Sequence, residues 1–239
     1  MSDLLVLTLA AVVTVLATGL GALPVAALGE RRTARVHAGL SGFAAGAMAV
    51  ASILGLIVPG LDDGDPLAVI GGALAGVVLL LVLRRRIGTD RRGRGWMVVA
   101  GVLFVHSLPE GFAIGTAVGS GEAGLGVFVV LAIALQNVPE GTATAMPMQT
   151  AGFGAPAQIG AAIGTSLPQI PGALIAFALV ETIEPLLPVS FGFAAGAMLA
   201  LTVTDLAPDA LTLHHRRQGA VGAAIGGALM VALAQVAGV

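Results

Sequence analysis

Two short stretches concentrate side chains that can do chemistry. VHSLPEGFAIG, from Val105 to Gly115, holds His106 and Glu110, and LQNVPEGTATA, from Leu135 to Ala145, holds Gln136 and Glu140. In each pair the two residues stand four apart, which on a helix puts them on one face. Pro109 and Pro139 lack an amide hydrogen, so the carbonyls of Val105 and Leu135 are left out of a helical ladder. Gly111 and Gly141 let another helix or an ion come close. Two carboxylates, an imidazole and a carboxamide suit a divalent cation. The two charges neutralise it, imidazole favours Zn(II) and Fe(II), and carboxylate and amide oxygens favour harder ions such as Mn(II). With one nitrogen ligand and no sulfur, such a site binds moderately and discriminates modestly. The alternative is a pair of kinked helices whose buried carboxylates bond to neighbours; the duplication of the pattern favours the metal.

The elements that must position these residues are apolar. Hydrophobic residues make up 57% of the chain and charged residues 10%, and the mean hydropathy is +1.00, against about 25% charged residues in an ordinary soluble domain. That balance excludes a soluble domain. Runs long enough to cross about 30 Å of hydrocarbon recur at Leu4 to Leu28, Val36 to Pro59, Leu67 to Leu83, Met97 to Val118, Leu125 to Pro147, Pro156 to Val180, Leu187 to Pro208 and Ala220 to Val239. The expected fold class is therefore all-α integral membrane, with eight transmembrane helices and residues 1–239 forming a single transmembrane domain. MSDLLVL carries an acidic residue where a cleavable signal has basic ones, so the first segment is expected to stay as a helix. Cysteine is absent, which removes disulfides and thiolate ligands.

The arginines fall in three clusters: Arg31, Arg32 and Arg35; Arg84 to Arg94; Arg216 and Arg217. These occupy alternate loops, whereas Asp62, Asp63, Asp65, Glu122, Glu181 and Glu184 occupy the opposite ones. Because basic residues in short loops stay on the cytoplasmic side, a cell-membrane location with both termini extracytoplasmic is expected.

GFAAGAM occurs at Gly42 to Met48 and at Gly192 to Met198, and IGGAL at Ile70 to Leu74 and Ile225 to Leu229. The first three segments thus repeat as the last three. Segments so paired run in opposite directions, giving an inverted 3+2+3 plan of the kind found in secondary transporters. The two unpaired segments, four and five, carry His106, Glu110, Gln136 and Glu140. Gly42/Gly46 and Gly192/Gly196 have the spacing that lets helices pack closely.

HSLPEG and QNVPEG on adjacent helices, GFAAGAM after a basic first loop, and TDLAPDA ending the seventh segment resemble the ZIP family of divalent metal transporters, especially its bacterial branch. The resemblance implies a carrier moving divalent metal ions into the cytoplasm, Zn(II) foremost, with Fe(II), Mn(II), Cd(II) and Co(II) as further candidates. It implies metal ligation by His106, Glu110, Gln136 and Glu140, and an elevator-like motion of segments one, four, five and six against the other four. A second, adjacent metal position in the family matches Ser107, Asn137 and Gln169. These are uncharged here, so one ion per chain is expected. GTDRRGRG stands where many relatives carry a His-rich loop.

Asp205 and Asp209 form a further one-turn pair with His214 and His215 beyond, which reads either as a cytoplasmic exit station or as solvated interfacial groups. An enzyme is not expected: an intramembrane metalloenzyme would be favoured by H-E-x-x-H, and no His-Glu pair occurs. A carrier or channel for another solute, with the carboxylates as proton sites, remains an alternative. The expected partners are divalent metal ions, the lipid bilayer and, as a homodimer, a second copy of the chain. Neither a nucleic acid nor a prosthetic group is expected; the metal, zinc foremost, is cargo.

Overall fold

In hydrocarbon every backbone amide and carbonyl must be bonded within the protein, which leaves helices as the economical solution for long apolar segments. The computed structural model describes residues 3–27, 30–87, 95–211 and 215–239, and all of its regular elements are helical. They are α1 (Asp3–Ala27), α2 (Glu30–Ser52), α3 (Val58–Asp63), α4 (Pro66–Ile87), α5 (Gly95–Gly119), α6 (Ala123–Thr150), α7 (Ala155–Ser166), α8 (Gln169–Thr182), α9 (Leu187–Leu201), α10 (Ala207–Ala210) and α11 (Arg216–Ala237).

Seven spans among the described residues are long and apolar enough to cross a bilayer. The 25-residue α5 is a further long helix, with an apolar sequence interrupted at His106 and Glu110. This is the architecture of a multi-pass membrane protein with seven to eight long apolar helices. The expected sixth segment is broken at Leu167 and Pro168 into α7 and α8, because proline cannot continue the hydrogen-bond ladder of the preceding turn. The second and seventh segments each contain a π-helical turn, Ile53–Ile57 and Thr202–Leu206, followed by a proline two residues on, Pro59 and Pro208. Helical periodicity in the sequence does not register these extra residues. Of the charges used to orient the chain, the side chains of Arg31, Arg32, Arg35, Asp63, Arg86, Arg91, Arg92, Arg94 and Glu184 lie outside the description, as does His214.

The helices sort into two groups by packing. In one, α1 lies against α6, α7 and α8, and α5 against α6 and α8; in the other, α2 pairs with α11 and α4 with α9. The seam between the groups is formed by α6 against α2 and by α5 against α9 and α4. Phe112 of α5 meets Phe193 of α9 there, with ring centroids 5.1 Å apart. Within the second group the two GFAAGAM stretches do equivalent work. A Cβ on Gly42 would strike the carbonyl of Gly219, and one on Gly192 would strike the carbonyl of Val69, so each stretch brings its helix backbone to backbone with its neighbour.

Candidate metal centre

α5 and α6 hold the polar pairs near their middles, and both helices run through their internal prolines without a break. The glycines after the two glutamates serve helix approach. A Cβ at Gly111 would collide with the carbonyl of Gln169 at the start of α8, and one at Gly141 with the carbonyl of Thr18 in α1. The Pro-Glu-Gly motifs thus clamp α5 against α8 and α6 against α1, and their glutamates face one another between the helices.

The structure brings His106, Glu110, Gln136 and Glu140 together. All four are buried, at no more than 2% exposure. One ligand atom from each of His106, Glu110 and Glu140 lies within 4.8 Å of the other two. His106 Nε2 is 3.0 Å from Glu140 Oε1 and 3.5 Å from Glu110 Oε1. Against an ionised carboxylate, which can only accept, Nε2 is the nitrogen that carries the hydrogen. Gln136 Nε2 donates to Glu110 Oε1 and Gln169 Nε2 to Glu110 Oε2, each at 2.7 Å.

This cluster is short of donors. Gln136 Oε1, Asn137 Oδ1 and Glu140 Oε2 are buried without a hydrogen-bond partner among the described residues, and each such acceptor costs about 1–3 kcal/mol when left dry. Unsatisfied oxygens beside an imidazole nitrogen and two carboxylates fit a cation, and the donor set fits a first-row divalent ion better than an alkali ion.

The three uncharged residues of the neighbouring position are also buried. Ser107 donates to Leu103 O on its own helix, at 3.0 Å. Asn137 Nδ2 donates to the backbone carbonyl of Thr14, at 2.8 Å, and to Gln169 Oε1, at 3.3 Å. Thr14 itself is a residue that sequence reasoning missed, although Thr14 and Thr18, one helical turn apart in an otherwise apolar segment, were a readable signal. Thr18 shares a hydrogen bond with Ser166 at 2.6 Å, and Thr142 donates to Gly21 O at 2.7 Å, so the faces of α1, α6 and α7 toward one another are more polar than their compositions suggest.

Asp205 and Asp209 are not among the described residues whose ligand atoms gather with His106, Glu110 and Glu140. Asp205 Oδ1 pairs with Arg84 at 2.8 Å and Oδ2 accepts from Thr204 at 2.7 Å, so both oxygens are engaged. His215 is partly buried with its Nδ1 unpartnered among the described residues, and His214 lies outside them.

Residues 87–234 match the family model described as ZIP zinc transporter. A putative zinc transporter of Arabidopsis thaliana is 33% identical over 229 residues, covering 91% of this chain and 36% of the relative. The zinc transporter ZIPB of Bordetella bronchiseptica is 34% identical over 239 residues, covering 91% of this chain and 76% of the relative. The zinc transporter GufA of Myxococcus xanthus is 28% identical over 228 residues, covering 86% and 89%. The chain therefore spans little more than a third of the plant relative and most of the two bacterial ones.

Proposed function

Because the chain belongs to the ZIP zinc transporter family, we propose that it is a carrier that moves divalent metal ions, Zn(II) foremost, into the cytoplasm. The cargo passes through a site formed by His106, Glu110, Gln136 and Glu140 between α5 and α6. The observation that carries this reading is the buried cluster of one imidazole and two carboxylates within 4.8 Å, beside oxygens of Gln136 and Glu140 that have no donor. A pair of structural carboxylates would have recruited donors to those oxygens; a cargo site leaves them for the ion. Fe(II), Mn(II), Cd(II) and Co(II) are the further ions that such a mixed nitrogen and oxygen set accommodates.

A cation entering this site replaces the hydrogen on His106 Nε2, takes an oxygen from each glutamate, and draws the Gln136 carboxamide round so that its oxygen faces the ion. The Nε2 lone pair comes free when that hydrogen passes to Nδ1, or to water where the ring is an imidazolium, so metal binding competes with protonation of the site. Eight membrane-crossing helices in an inverted 3+2+3 plan account for the equivalent packing of Gly42 and Gly192 and for the paired π-turns. The group containing α1, α5, α6, α7 and α8 carries the ion past the group containing α2, α4, α9 and α11, along the α5–α9 and α2–α6 seam. The arginine-bearing loops face the cytoplasm.

The test is influx into sealed liposomes that enclose a zinc-responsive dye. Purified, folded chain should give saturable Zn(II) entry above that of protein-free liposomes. Influx no faster than in protein-free liposomes, from protein that retains its helical spectrum, would overturn the proposal.

A further inference from the structure

The buried hydrogen bonds around Glu110 extend beyond the residues that face the ion. Glu110 accepts from Gln169 Nε2 at 2.7 Å, and because a carboxylate offers no hydrogen, the Gln169 carboxamide must turn its nitrogen toward Glu110 and its oxygen away. That oxygen lies 2.7 Å from the hydroxyl of Thr14 on α1. Asn137 Nδ2 approaches the same oxygen at 3.3 Å and is itself fixed by the Thr14 carbonyl at 2.8 Å. The Thr14 hydroxyl hydrogen is shared with Ala11 O, 2.8 Å away in its own helix. Thr14, Asn137, Gln169 and Glu110 are all 0% exposed, so water does not compete for these bonds.

We propose that Thr14 is a positioning residue for the metal site. Its hydroxyl and its carbonyl, the latter through Asn137, hold the Gln169 carboxamide with its N–H toward Glu110, and so fix the rotamer of the glutamate that binds the ion. The reasoning is one of directionality. Of the two ends of the Gln169 side chain, one is dictated by the carboxylate and the other is satisfied only by donors, and α1 contributes to both donors. With the oxygen so held, Gln169 cannot offer it to a second ion beside Glu110. Glu110 also enters the binding event already aimed, which lowers the ordering cost of ligation. The inference rests on the metal-site reading of Glu110 for its functional consequence, but the hydrogen-bond relay itself does not.

The experiment has two arms, on Thr14→Val, which keeps the shape and removes the hydroxyl, and Thr14→Ser, which keeps the hydroxyl. In the metal-free, detergent-solubilised protein, the side-chain amide protons of Gln169, assigned by their loss in Gln169→Ala, should resonate as a hydrogen-bonded, slowly exchanging pair. Thr14→Val should move these signals and speed their exchange, and Thr14→Ser should leave both near wild type. In the second arm, Zn(II) affinity should fall about fivefold in Thr14→Val, the equivalent of one ordinary hydrogen bond, and recover in Thr14→Ser. In a Gln169→Ala background, Thr14→Val should change affinity no further. Unaltered Gln169 signals in Thr14→Val, or an equal loss of affinity with and without Gln169, would overturn the proposal. Should Thr14→Val not fold, Thr14→Ala and Asn137→Ala carry the same comparison. If the wild-type chain bound no divalent ion, the proposed transport function would fall while the first arm still decided the relay.

Discussion

Replacing Glu110 with glutamine tests the arrangement of the site most sharply, because the substitution keeps shape and changes only charge and hydrogen-bond direction. In the native cluster both Glu110 oxygens accept, one from Gln136 and one from Gln169, and the imidazole nitrogen of His106 stands 3.5 Å off. A carboxamide at this position can accept at one end only, so its N–H2 needs an acceptor, which the Gln136 carboxamide supplies by turning its unpartnered Oε1 toward it. In the metal-free protein the exchange therefore creates no donor clash and removes one of two neighbouring buried negative charges, so the melting temperature should hold or rise. The loaded protein is the one that suffers. A dication left with a single carboxylate forfeits a buried ionic partner, a loss of about 3–5 kcal/mol, which at 1.4 kcal/mol per tenfold is a fall in affinity of roughly two to three and a half orders of magnitude. Zn(II) affinity measured by competition with a chelating dye, beside the melting temperature of the metal-free protein, separates the two effects. Affinity within about threefold of wild type would refute the assignment of Glu110 as a ligand, whatever happened to stability.

Three further outcomes follow from the same geometry. His106→Ala should weaken Zn(II) binding at least tenfold and Mn(II) binding less, since imidazole favours the softer ion; equal losses in parallel titrations would argue against direct ligation by Nε2. Protons compete for the imidazole and both carboxylates, so zinc uptake into liposomes should fall as the medium is acidified; uptake constant down to about pH 5, below the ordinary histidine value of about 6.5, would contradict ligation by His106. Gln169→Glu removes the donor to Glu110 and sets two carboxylates where a 2.7 Å hydrogen bond stood. The metal-free protein should therefore melt lower, and excess Zn(II) should restore it with a second bound ion per chain, read by metal analysis after gel filtration. A stoichiometry still at one, with unaltered melting, would show that position 169 is remote from the cation.

Much of the site was legible because the chain leaves so few polar residues in apolar surroundings. His106, Glu110, Gln136 and Glu140 stand out by type, their spacing of four assigns each pair to a helix face, and duplication marks them as facing partners. The glycines of Pro-Glu-Gly were legible as points of close approach, but not which helix approaches: α8 at Gly111 and α1 at Gly141 are tertiary facts. Thr14 escaped notice because a threonine in a membrane helix can satisfy its hydroxyl on its own backbone, as Thr8 does on Leu4 O, and only the fold shows that Gln169 comes within reach. The π-turns at Ile53–Ile57 and Thr202–Leu206 escaped for a different reason. One extra residue in a turn changes the composition of neither ILGLI nor TVTDL, so hydropathy carries no mark of it. The break of α7 from α8 at Leu167 and Pro168 was not read from the sequence, because a proline does not by itself mark a break: α5 and α6 stay continuous at Pro109 and Pro139.

The central claim is that the cargo ion rests on one imidazole and a set of carboxylate and amide oxygens between α5 and α6. X-ray absorption at the zinc edge, on wild-type protein loaded with one equivalent of Zn(II), reads that ligand set directly. The account predicts a shell of nitrogen and oxygen only, at about 2.0–2.2 Å, with the scattering signature of a single imidazole that disappears in His106→Ala. A shell containing sulfur, two or more imidazoles, or an imidazole signal that survives His106→Ala would contradict it.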